Sequence, residues 1–342
     1  MSIKYVSAVK PTSAKGLVGR VYDQIKREFG SVVEPFAVHS SVPELLTGVW
    51  SACRETLLVG RARREVKEAV AVTVSRINRC PYCVDAHTIM LEATSSHRLS
   101  EAIGSGRPDE IRDLTIRSAV DWAGASRSPG EEILGSPPFS EREAPEMIGT
   151  AVFFHYLNRM ANVLLSETPL PIRQSWAKGP LKRVAGWYFA KAIGRARSSG
   201  ESLGFLPEAQ LPGDLLWAKA EPPVAGAFAR LAAVIEETRK AVIPIEVYEV
   251  LSERLEFWDG KDPGMGRGWV EEALKGFSER SKTVGRLVLL TAFAPYQVDE
   301  KIVRSFLTNF PGDDKLLSAL AWSSFSAARR IGKWLHKPSK AS

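Results

Sequence analysis

Cysteine is scarce in this chain. Three residues among 342 are too few for the disulfide framework of a secreted domain. Long apolar runs are missing too: no window approaches the roughly 18 uninterrupted apolar residues that a membrane-spanning helix needs. The N-terminal stretch "MSIKYVSAVKPTSAKG" lacks the apolar segment of a secretory signal, so the cytoplasm is the expected compartment. Sustained strand alternation bounded by hairpin turns appears nowhere. The short glycine runs at 104–106 and 264–268 follow no predicted strand, so no nucleotide or other cofactor is expected. There is no second C-x-x-C and no H-x-x-H, hence no second ligand cluster of the kind structural zinc draws on. The formal charge of +7 comes from basic residues scattered among acids. Their densest groups, 61–64, 182–199 and 327–339, come with no aromatic-interleaved basic face or nucleic-acid motif, which predicts a solvated basic surface and no specific nucleic-acid partner.

What is present is ample core material. The chain is 44% hydrophobic, with nine Trp and fourteen Phe, and its length suits one large domain or two smaller ones. Apolar residues recur at three- and four-residue intervals over 43–59, 64–78, 109–125, 144–165, 174–197, 223–239, 245–256, 268–279, 282–293, 295–308 and 313–335. Pro/Ser/Gly-rich stretches separate them, so the expected fold class is all-α. Val70, Val72 and Val74 alternate as a strand would, but the length of that run, its Ala content and its Glu/Lys lead-in favour helix.

One stretch stands out. "RCPYCVDAHTIM" (79–90) packs two of the three cysteines and a histidine into a few positions. Asn78 and Arg79 suit a helix end, and Pro81 suits the first turn of the next helix. "CPYCVDAH" (80–87) aligns without gaps on "APYQVDEK" (294–301), with Pro, Tyr, Val and Asp in common. In each half a Pro-led helix precedes, an apolar helix runs into the motif, and a long aromatic-rich helix follows. This order predicts two tandem repeats, 1–170 carrying the C-x-x-C and histidine and 171–342 a degenerate copy without cysteines. Ala294, Gln297 and Lys301 stand where the first copy has Cys80, Cys83 and His87. Asp85 recurs as Asp299, which points to a structural role.

Two thiols at C-x-x-C spacing by a helix N-terminus can close a small disulfide ring, and the helix dipole favours a thiolate there. Cys83 falls within the first turn; Cys80 sits just before it. His87 lies one turn after Cys83 on the same face, where an imidazole can move protons to and from the sulfur. Glu68, on the preceding helix amid apolar neighbours, is the candidate to orient that imidazole, since an inward carboxylate is costly unless paired. The same residues admit blander readings: a pair of small buried thiols, a metal site, or a surface carboxylate paired with a nearby Arg or Lys.

Glu68, Cys80, Cys83 and His87 resemble, in type and spacing, the active-site signature of the alkylhydroperoxidase D-like branch of the carboxymuconolactone decarboxylase family. The resemblance is close over about 40–167, where "FFHYLNRMANVLLSETPLP" looks like a common continuation of that helical core. It implies an all-helical AhpD-like fold and a dithiol/disulfide cycle that reduces hydroperoxides or passes electrons onward. In that cycle Cys83 would attack, Cys80 would be its disulfide partner, and His87 with Glu68 would relay protons. Substrate would be a hydroperoxide or small disulfide, and a separate protein or small-molecule thiol would reset the site. Family members commonly form oligomers of small subunits, so a homo-oligomer is expected. Some members have a His between the cysteines where this chain has Tyr82, which donates a hydrogen bond but is no base at neutral pH.

The remaining candidates read as structural. Cys53 in "SACRETL" suits a small core position, His155 on "AVFFHYLNRM" suits packing, and Tyr82 suits the mouth of a pocket. His39, His97 and His336 have no evident partners in sequence. Two other classes of function compete with a thiol peroxidase. A carbon-chemistry decarboxylase on the same scaffold would retain activity without the cysteines. A redox-responsive binding protein would form the disulfide without turnover.

Overall fold

The computed structural model describes residues 3–169 and 197–336. The helix expected over 174–197 lies outside them. Among the described residues the fold is helical throughout, and the only strand-like pairing is one bridge between Ile3 and Leu165.

The first half runs α1 (Gly16–Phe29), α2 (Glu34–Ala37), α3 (Pro43–Cys53), α4 (Arg64–Ile77), α5 (Pro81–Thr94), α6 (His97–Ser105), α7 (Leu114–Gly124) and α8 (Ala144–Leu164). The second half continues as α9 (Pro222–Arg239), α10 (Ile245–Glu256), α11 (Gly268–Ala273), α12 (Glu279–Phe293), α13 (Glu300–Asn309) and α14 (Asp313–Leu335). Most of these match the periodic segments. α3 extends through a π-helical turn, Arg54–Leu58, which accounts for a pattern reaching to residue 59. The Val-rich run is helix α4, with Val66, Val70 and Val74 buried along it.

Six segments differ from expectation: α2 falls in no expected helix, the helix expected over 268–279 stops at Ala273, and four others depart as follows. α1 was not anticipated, because its inner face of Val18, Val21, Tyr22, Ile25 and Phe29 is diluted by charged residues. α6, with only a few apolar positions, was missed likewise. The run 109–125 is divided, and α7 starts only at Leu114, where the Asp113 carboxylate accepts the Ile116 N–H at 3.1 Å. The continuous helix expected over 295–308 is a 3-10 turn, Pro295–Gln297, followed by a restart at α13. The Asp299 carboxylate caps that restart, accepting the Ile302 N–H at 3.0 Å.

One apolar core runs through both halves. At its centre lies α8, buried at every position except Ala144 and Asn162. α14 packs along it: Gly332 lets the chain approach Val152 and Trp217, and the Tyr156 and Phe325 rings meet edge to face at 6.1 Å. Each such buried aromatic contributes roughly 2–3 kcal/mol of transfer free energy. α3 meets α9 where Gly48 faces Leu231. A buried arginine joins the halves, as Arg159 Nε donates to the Ala292 carbonyl at 2.9 Å.

α4 and α5 form the frame of the motif. Asn78 ends α4, Arg79 takes a left-handed conformation (φ 51°), and the Cys80 N–H returns to the Ser75 carbonyl at 2.9 Å. That reversal closes α4 in the manner of a Schellman motif and starts α5 at Pro81.

Candidate active site

Glu68 of α4 and His87 of α5 meet where the two helices pack, Cys80 and Cys83 neighbour each other at the start of α5, and all four are buried. The His87 Nδ1 lies 2.7 Å from Glu68 Oε2. Glu68 is fully buried and also receives the Arg64 Nε–H on its other oxygen at 2.8 Å. Burial pushes the Glu68 carboxyl up, but Arg64 and His87 outweigh it and hold the group below its ordinary value. The surface reading of Glu68 therefore fails, although its pairing with a nearby arginine holds. With an ionised carboxylate at Nδ1, the neutral imidazole carries its proton on Nδ1 and its lone pair on Nε2. The Phe154 ring sits edge-on to the imidazole with centroids 4.5 Å apart, fixing its plane.

Cys80, 1% exposed, and Cys83, 2% exposed, are both free thiols. The two thiols lie close enough for each to affect the ionisation of the other. Burial and the neighbouring Cys83 thiol push the Cys80 thiol well above its ordinary value; the Cys83 backbone amide and the Asn158 side chain oppose this. Cys80 is therefore held as the protonated partner.

Asn158 belongs to a buried polar array behind Cys80 that the sequence did not reveal. Its amide donates to Ser75 Oγ at 3.0 Å and its carbonyl accepts from Asn78 at 3.0 Å. Asn78 also reaches His155 Nδ1 at 2.9 Å, and His155 Nε2 meets Ser126 Oγ at 2.9 Å. Burial, then the Arg159 and Arg127 charges, push His155 well below its ordinary value, so it stays neutral. His155 is neither a lining residue nor simple packing; it holds the α4–α5 reversal from behind.

On the other side of α5 a cavity of about 260 Å³ opens beside the imidazole. Its wall is chiefly apolar, with Phe29, Phe36, Met90, Phe153 and Phe154, and includes Tyr82 and His87. The Tyr82 hydroxyl donates to Glu34 Oε2 at 2.9 Å; burial and that carboxylate push the phenol up, so it remains a donor. Tyr82 thus shapes the cavity, as expected. Cys53 also lines it, close enough to Arg64 and Glu68 to feel both charges, and burial raises its thiol. The sequence placed Cys53 in anonymous core because nothing near it in the chain points to the cavity. Glu34 left no sequence signal either, whereas Arg64, four residues before Glu68 on one helix, could have been foreseen.

Asp85 and its counterpart Asp299 do different work. Asp85 lies inside α5 and accepts from Thr168 Oγ1 at 2.8 Å, while Asp299 is a helix cap. Among the described residues no group of three or more His, Cys, Asp or Glu side chains is gathered to hold a metal ion, and no helix is long and apolar enough to cross a membrane.

A buried dithiol at a helix start, with a histidine–carboxylate pair one turn on, defines a thiol oxidoreductase of the alkylhydroperoxidase type. Comparison with known proteins agrees. Over 334 residues the chain is 37% identical to an alkyl hydroperoxide reductase of Mycobacterium tuberculosis, a match covering 97% of this chain and 95% of that protein. It is also similar to the solved alkylhydroperoxidase AhpD core of an uncharacterized peroxidase-related protein from Ralstonia eutropha JMP134. That match has a TM-score of 0.43 and 20% identity, covering 54% of this chain and 97% of that one. No family model matches the chain. The chain belongs to the alkylhydroperoxidase D-like, carboxymuconolactone decarboxylase-related family.

Proposed function

We propose that this protein reduces organic hydroperoxides through a Cys83–Cys80 dithiol cycle, with His87 and Glu68 moving the proton. The observation that carries the reading is the 2.7 Å His87–Glu68 contact one turn from Cys83, beside an apolar cavity. His87 Nε2 takes the Cys83 proton, and the thiolate attacks the terminal peroxide oxygen. The O–O bond breaks, Cys83 becomes a sulfenic acid, and the alkoxide leaves with the proton from the imidazolium. The Cys80 thiol then attacks the Cys83 sulfur, giving the disulfide and water. An external thiol supplies the two electrons that restore both cysteines. Two features support this division of labour: the raised Cys80 thiol suits the resolving role, and His87 shares the face of Cys83.

The test is peroxide turnover with dithiothreitol, comparing the parent with Cys83→Ser. Loss of at least about a hundredfold is expected when the nucleophile is removed; equal rates overturn the proposal. After one equivalent of cumene hydroperoxide, Cys80 and Cys83 should vanish together from thiol titration while Cys53 remains.

The same reading takes 1–170 and 171–342 as two copies of one helical unit, the second without chemistry. The order α4, α5, α8 beside α12, α13, α14 supports it, as does the packing of α8 on α14. A cytoplasmic protein that self-associates through further copies of this chain completes the proposal.

A further inference from the structure

α5 has a second opening, on the side away from the apolar cavity. A groove of about 540 Å³ is lined by Arg76, Ile77, Arg79, Cys80, Pro81, Val84 and Asp85. The two openings share no lining residue: His87 and Tyr82 belong to the apolar one, Cys80 to this one. Their chemistry differs as well. Arg76 and Arg79 both line the groove, the Arg76 guanidinium lying against Gly106 and the Arg79 guanidinium over the Tyr296 ring at 5.3 Å, and the single carboxylate in its wall, Asp85, is engaged by Thr168.

The charge behind the groove has the same sign. Arg79 is joined on its inner side by Arg127 and Arg159, with Asp262 the one carboxylate among the three. Asp262 pairs with Arg127 at 2.6 Å and reaches Arg79 at 3.3 Å. Arg159 spends its hydrogen bonds on the carbonyls of Ala292 and His155. Four arginines face two aspartates, so the approach to Cys80 has a positive field that draws anions. Cys80 itself is only 1% exposed, which admits the end of a slim molecule and excludes a flat protein surface.

We propose that the Arg76/Arg79 groove is the docking site for the resetting reductant, a small thiol that carries a carboxylate, and that it acts on Cys80 from the face opposite the peroxide. This rests on the dithiol cycle proposed above. The incoming thiolate attacks Cys80 Sγ of the Cys80–Cys83 disulfide; the S–S bond breaks and its electron pair leaves on Cys83. A second thiol, on the same or another molecule, attacks the reductant sulfur of the mixed disulfide and releases Cys80, which takes up a proton as the free thiol. Two thiols become one disulfide, and both cysteines are reduced. Separate openings let the reductant bind without displacing hydroperoxide from the apolar side.

The experiment forms the disulfide with diamide, so that it does not depend on peroxide chemistry, and follows its reduction by stopped flow. Two dithiols are used: dithiothreitol, which is neutral apart from its thiols, and 2,3-dimercaptosuccinate, which bears two carboxylates. Their rate ratio within one protein cancels general effects of substitution on the disulfide. The expected result is a dimercaptosuccinate/dithiothreitol ratio that falls about five- to tenfold in Arg76→Gln/Arg79→Gln, and falls with added salt only in the parent. Arg79→Lys should retain most of the parent ratio, separating charge from loss of fold. An unchanged ratio in the double variant overturns the docking site. Absence of disulfide after peroxide, with the ratio change intact, overturns the dithiol peroxidase cycle instead.

Discussion

His39 is fully buried, with Nε2 2.9 Å from the Tyr156 hydroxyl, and burial lowers its pKa to about 4. The unfolded chain therefore takes up this proton more readily than the folded one. Stability present above pH 6.5, the ordinary value, is lost as pH falls toward 4, by on the order of 3 kcal/mol. His155 acts in the same direction. Urea unfolding at pH 7 and pH 4.5 should show a steeper loss in the parent than in His39→Gln, which keeps a hydrogen-bonding side chain but cannot charge; parallel losses would contradict the assignment. Glu68 offers a kinetic test at the same scale. Glu68→Gln removes the charge that faces His87 and Arg64, and peroxide-driven oxidation of Cys83 should slow about ten- to a hundredfold. Glu68→Asp should recover part of that rate, and no change in Glu68→Gln would remove Glu68 from the relay.

At the scale of elements, the stretch joining the π turn after α3 to α4 is tied down by Glu146 of α8. Its carboxylate accepts the Arg61 and Ala62 N–H groups at 2.7 and 3.1 Å and the Lys67 ammonium at 2.6 Å. Gly60 (φ 104°) permits this approach, because a Cβ there would overlap the carboxylate. Lys67→Met leaves that buried carboxylate without its cation and should cost about 3–5 kcal/mol, read from the midpoint of urea unfolding. How legible these elements were depended on whether the signal was local. α4, α5, α8 and α14 show in the sequence because apolar periodicity and capping chemistry act within one segment. The Glu68–His87 pairing was readable because a carboxylate in an apolar run demands a partner. Glu34 beneath Tyr82, Cys53 in the cavity wall and Asn158 behind Cys80 were not, since each depends on which helix packs against which. The Pro295 turn misled for a related reason: its letters resemble those of 80–87, but only the backbone reveals that no α-helix begins there.

Across the whole molecule, the two halves stabilise each other through α8. Its far side is covered by α14, and Trp334 near the end of that helix donates at 2.7 Å to the carbonyl of Ser126, the residue whose hydroxyl meets His155. Separating the halves would expose a face containing Val152 and Tyr156. Residues 1–170 expressed alone should therefore self-associate or aggregate, bind a hydrophobic dye and lose cooperative unfolding. A stable monomer in sedimentation, with a sharp transition, would show that the first half closes its own core. The polar array from Ser126 to Asn158 also links the end of α14 to the turn that carries Cys80.

The turn at Pro295–Gln297 bears on reversibility. At Cys80–Cys83 the helix starts at Pro81, so its free N–H groups lie beside the thiols; at the similar letters 294–301 the helix starts after Asp299 and Gln297 Nε2 is committed to the Gly264 carbonyl at 2.7 Å. Cysteines placed at 294 and 297 would reproduce the spacing without a helix start beside them. In a Cys80→Ser/Cys83→Ser background such a protein should regain titratable thiols and no peroxide turnover. Any gain of thiol chemistry at 294–301 would therefore take a change of backbone conformation before a change of side chain could matter.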